Sequence, residues 1–329
     1  MASSGGVLGL RVEGARTNSV LRSQELDNAA WADDSGPVAV ITVTANAATA
    51  PDGTVTAERF EIPARTGLQY SLRRQAIAAG STGNASIYVK GNGTSGSISL
   101  ATDGSLSTSV DCAYVAATWT RCVLGTIGTW FFVGSITGYG ATSGSKASQD
   151  VFVWGAQTEG SGVATYATSY IPTVAAAATR NAEAAYLTMP VTVSPNSVAA
   201  TTQVPFTTPG ANRRNLGVRS GASDANRFEL FYTNGGPGAS TYVEVASVGQ
   251  QVNGVTAATM PGSNRFSAWR VAAGTQNVIT NGTTASAATA LGALPVLDRV
   301  YVGSYISVAS ELDGIITSVC VDPDPSRCR

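Results

Sequence analysis

Apolar and polar residues alternate with a period of two along most of the chain, in short runs set about ten residues apart. In "SIYVKG" Ile87 and Val89 point one way, Tyr88 and Lys90 the other. The first half predicts strands at 38–46, 54–62, 69–77, 84–91, 96–102, 119–127 and 148–157. The second half predicts them at 196–206, 215–221, 227–234, 241–248, 264–274, 276–282, 298–306 and 312–322. Gly-, Ser- and Asn-rich turns such as "TNGTT" separate them, and no helix longer than a turn or two is expected. Strands this short and this regularly spaced predict an all-β protein built of β-sandwiches.

At 329 residues the chain exceeds what one core usually serves, so two domains are expected. The low-complexity stretch "TVAAAATRNAEAAYL" suits a linker and places the boundary near residue 180, giving domains 1–180 and 181–329. The stretch "VFVWGAQTEGSGVATYATSYIPT" (151–173) reads as the last strand of the first domain and its exit. Val151 and Val153 alternate there with Phe152 and Trp154, and Trp154 is assigned to the core.

Charge narrows the partners. Only 12% of residues are charged, the formal net charge is −1, and the only lysines are Lys90 and Lys146. Such a surface cannot neutralise many phosphates, so nucleic acid is not an expected partner. No window approaches the ~18 apolar residues of a membrane helix, and the first residues lack a basic start and apolar stretch, so neither a membrane span nor a signal peptide is expected. Folding in a cytoplasm follows as the expectation.

The absence of histidine removes Ser-His-Asp and Cys-His nucleophilic sites, HExxH metal sites and the usual proton shuttle. A hydrolase would have to use paired carboxylates, as glycosidases do. Most acidic residues have other uses: Asp52 and Asp103 precede glycine in turns, and Asp322 and Asp324 lie in a Pro-rich tail. The four cysteines fall into two close pairs, Cys112 with Cys122 and Cys320 with Cys328. "VDCAYVAATWTRC" reads as a hairpin turning at Ala117, which sets Cys112 opposite Cys122 and makes a disulfide feasible, with two small buried thiols as the alternative. Zinc is disfavoured, since no histidine completes either pair.

Three motifs carry a resemblance. "LRVEGARTNSVLRSQELDNAAW" (10–31), "TANAATAPDGTVTAERF" (44–60) and "VWGAQTEGSGVATYATSYIPT" (153–173) resemble a recurrent module of bacteriophage tail, fibre and head-spike proteins, a jelly-roll carbohydrate-binding domain. The matching positions are Glu13, Arg16, Thr17, Asn18, Trp31, Pro51, Asp52, Gly53, Trp154, Gly155, Gln157, Glu159 and Tyr170 to Thr173. From about 190 to 322, "RFSAWRVAAGTQNVITNGTTA" and "LDGIITSVCVD" are similar to concanavalin A-like, laminin-G-like lectin domains. The resemblance implies two tandem jelly-roll-like sandwiches in a virion surface protein, a fibre, spike or decoration protein, that binds host cell-surface polysaccharide without catalysis. It also implies other virion proteins as partners, assembly in the host cytoplasm and a homo-oligomer, with a trimer as the specific expectation. No cofactor is expected, structural Ca²⁺ being the one ion such lectin domains sometimes hold. A purely structural virion component and a carboxylate-dependent depolymerase are the alternatives.

Sugar binding needs a flat aromatic for the apolar face of the ring and polar side chains for its hydroxyl rim. Trp31, Tyr88, Trp130 and Tyr139 are candidates in the first half, and Tyr232, Asn234, Tyr242 and Trp269 in the second. Six are preferred: Trp130, Tyr139, Tyr232, Asn234, Tyr242 and Trp269. "GTWFFVGSITGYG" (128–140) reads as a Gly-rich loop that exposes Trp130.

Overall fold

The computed structural model describes residues 2–4, 7–36, 38–77, 83–160, 166–183, 185–193, 197–204, 213–219, 225–233, 238–253, 262–270, 275–288, 297–303, 312, 314–322 and 328. Among these the protein is all-β, with no helix and therefore none long and apolar enough to cross a membrane. The chain divides into two compact units, Arg16–Arg180 and a second made of Met1–Ala15 with Asn181–Arg329.

In the first unit every strand pairing is antiparallel, and the strands form two main sheets. One runs Ser109–Tyr114, Gly96–Ala101, Trp130–Thr137, Gln69–Ala76, Ala32–Asp34. The other runs Thr120–Leu124, Gly83–Gly91, Gln149–Gly160, Arg16–Asn18, Ala178–Arg180, with Ala57–Ile62 and Thr42–Ala48 added beside the start of Gln149–Gly160. Between them the inward side chains make one core, including Phe60, Ile87, Val89, Ile98, Leu100, Phe131, Val133, Val151 and Val153. Each of these large apolar groups contributes about 1.5–3 kcal/mol by leaving water.

The segment 128–140 corrects the loop reading, because Trp130–Thr137 is a strand in the middle of the five-stranded sheet. Its inward residues Phe131 and Val133 and its outward residues Trp130 and Phe132 are all apolar, so the run lacks the polar half of the alternation.

Cysteine pairing is corrected in a similar way. Ser109–Tyr114 pairs with Gly96–Ala101, and Thr120–Leu124 pairs with Gly83–Gly91, so the two cysteine strands lie in different sheets rather than in one hairpin. The Cys112–Cys122 disulfide, with Cα atoms 5.6 Å apart, therefore staples sheet to sheet. A second disulfide joins Cys320 of the last strand to Cys328.

Gln149–Gly160 is the longest strand, and it changes partners along its length. Residues 149–153 pair with Ala57–Ile62, whereas Glu159 pairs with Asn18. Between them the register against Gly83–Gly91 shifts at Trp154–Gln157. Gly155 sits in this bulge with φ +68°, and a Cβ there would lie 3.2 Å from the Tyr170 ring, so glycine alone fits comfortably.

Past the bulge, the motif residues interlock. Asn18, fully buried, donates to the carbonyls of Ala156 (3.1 Å) and Ile171 (2.9 Å) and accepts from the N–H groups of Val20 and Thr158 (both 3.1 Å). Ile171 N–H donates to Gln157 at 2.7 Å, and Thr168 donates to Glu159 through both its backbone and its hydroxyl. Ser23 and Thr173 exchange backbone-to-hydroxyl bonds of 3.2 and 2.9 Å. These motif side chains tie the entry of the unit to its exit.

The second unit also has two sheets. Ala2–Ser4, Val7–Val12, Gly314–Asp322, Ser197–Val204, Gly262–Arg270, Thr275–Thr280 and Thr283–Ala288 form one. Ala185–Val193, Leu297–Val302, Arg213–Arg219, Arg227–Tyr232, Ala239–Val245 and Val248–Asn253 form the other. Residues 1–15, grouped on sequence with the N-terminal domain, thus belong with the C-terminal one, where Leu10 pairs with Ile316 and Val12 with Gly314. Val12 is fully buried, and Gly303 at φ +66° makes room for it: a Cβ there would lie 2.8 Å from Val12 Cγ2.

The fragment 16–180 is expected to melt cooperatively alone. The fragment 181–329 should melt well below its temperature in the full chain and recover when residues 1–15 are restored. Thermal melts of both fragments check this, and an unchanged melting temperature for 181–329 would refute the shared sheet. Cys112→Ala should lower the stability of 16–180 by roughly 2–4 kcal/mol, read by urea denaturation against the reduced and oxidised parent.

Candidate functional site

Strand alternation leaves one surface of the seven-stranded sheet facing away from the core, and several aromatics gather on it. Tyr88 lies opposite both Trp154 and Arg121, and Phe152 lies opposite both Lys90 and Arg59. Trp154 is buried there, not in the main core: Ala50 and Ala57 pack on it, and the Tyr170 ring lies 4.4 Å away. Its indole N–H donates to Thr56 at 3.0 Å. Around this anchor Tyr88, Trp119 and Phe152 are half-buried.

The Tyr88 ring is 5.6 Å from Trp154 and carries the Arg121 guanidinium at 5.0 Å. Lys90 Nζ sits over Trp119 at 5.5 Å and over Phe152 at 5.8 Å. Trp119 N–H donates to Thr49 O at 3.3 Å, which fixes the edge of the ring. Beside Phe152, Arg59 grips Asp150 with two bonds of 2.7 and 2.6 Å and reaches Glu61 at 3.0 Å, while Asn92 donates to Asp150 at 3.1 Å. The Arg59 guanidinium holds the Asp150 carboxyl below its ordinary value, so that oxygen pair stays an acceptor throughout the neutral range. Flat apolar rings beside fixed donors and acceptors are the chemistry that a pyranose requires.

The sequence-chosen residues are placed differently. Trp130 and Tyr139 come together on the outward side of the five-stranded sheet, in a cluster with Leu72, Phe132 and Ile136. The Arg74 guanidinium lies over the Trp130 ring at 4.7 Å and is itself fixed there by Asp34 at 3.2 Å, whereas Lys90 over the Trp119 and Phe152 rings is anchored by no carboxylate among the described residues. Tyr139 packs edge-on against Tyr70 at 6.1 Å. Tyr232 is fully buried, its ring 4.7 Å from Phe266 and its hydroxyl bonded to Thr202 and Asn264; it is a core residue, which corrects its choice as a sugar contact. Trp31 is core as well, edge-on to Phe131 at 5.7 Å. Tyr242 is half-buried beneath Arg227 at 4.8 Å. Trp269 lies on the strand Gly262–Arg270, opposite Ser197, with its side chain outside the described residues, as is Asn234 altogether.

Trp119 and Phe152 were missed. The signal was present: Phe152 alternates with core valines, and Trp119 directly precedes the strand that carries Cys122.

Among the described residues no group of three or more Cys, Asp or Glu side chains could hold a metal ion. One carboxyl stands out. Glu58 points into the sandwich beside Phe60, is 2% exposed, and burial together with the neighbouring Asp27 pushes its pKa up to about 9. It lies on the opposite side of its strand from Arg59 and Glu61, away from the aromatic face.

No protein-family model matches the chain, and no curated protein matches it. Among solved structures, the Ruminococcus gnavus IT-sialidase CBM40 bound to alpha2,3 sialyllactose superposes with a TM-score of 0.35 at 15% identity, over 42% of this chain and 80% of that one. Domains LG4-5 of the mouse laminin alpha1 chain superpose with a TM-score of 0.29 at 11% identity, over 78% and 91%. The CBM22-1-CBM22-2 tandem of Paenibacillus barcinonensis Xyn10C gives 0.28 at 10% identity, over 97% and 99%. At these values the likenesses assign no residue and no ligand.

Glu58 sets a pH dependence whose sign can be worked out. The folded state keeps its proton up to about pH 9, while the unfolded chain releases it near the ordinary value of 4.5. Folding therefore takes up a proton between those values, and the Glu58 contribution to stability declines as pH rises through that window. Urea denaturation at pH 5, 7 and 9 should show Glu58→Gln gaining on the parent as pH rises. A constant difference between the two would contradict the assignment.

Proposed function

We propose that the protein binds glycan without cleaving it, and that it does so on the aromatic face formed by Tyr88, Trp119 and Phe152. The observation that carries this reading is the half-exposure of three rings on one rigid sheet surface, bordered by Asp150, Asn92 and Arg59. Tyr88 and Phe152 are held by strands, and Trp119, just before the strand Thr120–Leu124, is tied by its indole N–H to Thr49 O, so the rings lose little entropy on binding. The non-enzymatic reading is supported by the state of a nearby carboxyl. Arg59 holds the Asp150 carboxyl below its ordinary value, so Asp150 is not poised to give a proton to a leaving group.

We place this activity on a bacteriophage virion, in a fibre, spike or decoration protein that meets host cell-surface polysaccharide. The ordered motifs at 10–31, 44–60 and 153–173 support that setting. A homo-oligomer, a trimer in the simplest case, fits a role in which several weak sugar sites act together. The purely structural alternative draws on Lys90, whose ammonium lies over two of the rings and could serve only to cover them.

Glycan-array retention by the full chain tests the reading. Trp119→Ala and Phe152→Ala should each weaken retention about tenfold, the equivalent of ~1.4 kcal/mol, with melting temperature unchanged. Trp130→Ala should leave retention intact, and no oligosaccharide should be released. Undiminished retention in both platform variants removes the proposed site.

A further inference from the structure

The platform does not end at Phe152. Trp154, Phe152 and Asp150 share one side of the strand Gln149–Gly160, and Ser148 continues the same alternation; six residues of extended chain cover about 20 Å. At Asp150 the surface drops into a cleft of about 490 Å³ bounded by Thr42, Glu61, Thr94, Ser148 and Gln149. A second cleft, of about 360 Å³, shares Thr94, Ser148 and Gln149 and runs on past Ser95, Ser97, Ser143 and Ser145.

Gln149 stands where the two clefts meet. It is 8% exposed, its amide N–H donates to Ser97 O, and its Oε1 is buried with no hydrogen-bond partner. A buried amide oxygen without a partner is costly, and a ligand hydroxyl would satisfy it. The surroundings also define the ligand by charge. Lys146, which borders the second cleft, is committed to Asp111 and Ser99, and Arg59 is committed to Asp150 and Glu61. The cations bordering the clefts are thus paired with carboxylates, and Lys90 on the platform, which has no carboxylate partner among the described residues, is held over the Trp119 and Phe152 rings; the clefts themselves present hydroxyls and acceptors, a lining suited to a neutral, hydroxyl-rich ligand rather than an anion.

We infer that platform and clefts form one continuous track for an internal stretch of a neutral polysaccharide, several sugars long, rather than a site for a single terminal sugar. This rests on the glycan-binding reading above. Rings at one end supply stacking, and the Ser/Thr-lined clefts at the other supply hydrogen bonds to successive hydroxyls.

The test uses the full chain in affinity gels containing xylan, β-glucan, galactomannan or dextran, with hyaluronan as the acidic comparison. Calorimetry then follows with size-fractionated oligosaccharides of the retained polymer. Affinity should rise at least tenfold between about two and six sugars. Ser148→Trp, an exposed position that fills the junction of the clefts, should reduce hexasaccharide affinity to the disaccharide level and leave the disaccharide unchanged, whereas Trp119→Ala should weaken every length. Thr94→Trp, also exposed, provides a second blocking variant should the first melt early. Length-independent affinity, or hexasaccharide binding that survives both blocking variants, overturns the track while glycan binding stands. Retention by hyaluronan alone overturns the neutral assignment. Retention by no polymer overturns the glycan reading itself.

Discussion

One buried amide holds the first unit closed. Asn18 uses both N–H groups and both lone pairs of its carbonyl oxygen on backbone groups from three separate segments: the entry at Val20, the closing strand at Ala156 and Thr158, and the exit at Ile171. Of the uncharged side chains only Asn and Gln offer two donors beside an acceptor, and the longer Gln would displace one segment or another. Because each bond replaces a water contact that the interior cannot offer, losing the amide would strand four backbone groups at about 1–3 kcal/mol apiece. That is a large share of a domain's net stability.

The position of the aromatic face follows from that closure. With the far end of Gln149–Gly160 pinned by Asn18, Gln157 and Glu159, the bulge at Gly155 lets its near end run alongside Ala57–Ile62. Phe152 and Asp150 are thereby fixed opposite Arg59 and Glu61. Tyr170 serves both ends: its hydroxyl contacts Ser23 at 2.5 Å, and its ring supports Trp154. The shared motif residues are thus mostly scaffold, while the surface on which recognition is proposed is made by Tyr88, Trp119 and Phe152, which belong to no motif.

Most strands were legible because alternation reports which side of a strand is dry. The strand at 130–137 was not, since apolar residues face both ways and glycines flank it. Alternation also leaves partner choice open: it brought Cys112 and Cys122 together as a feasible disulfide but suggested the wrong neighbour for each strand. The strand Val7–Val12 escaped notice for the same reason, as its partner on the core side, Gly314–Asp322, lies some three hundred residues along the chain. Aromatic residues posed a further ambiguity. Composition marks Trp31, Trp119, Trp130 and Trp154 alike, and only packing separates the two that are buried from the two that reach the surface.

Arg16 pairs with Arg180, and Thr17 with Thr179, so the chain enters and leaves the first unit on neighbouring strands. Its two ends are separated by a single ladder spacing of about 5 Å. To the strand that precedes it and the strand that follows, the whole unit is equivalent to a tight loop, and whatever replaced it would need only adjacent ends.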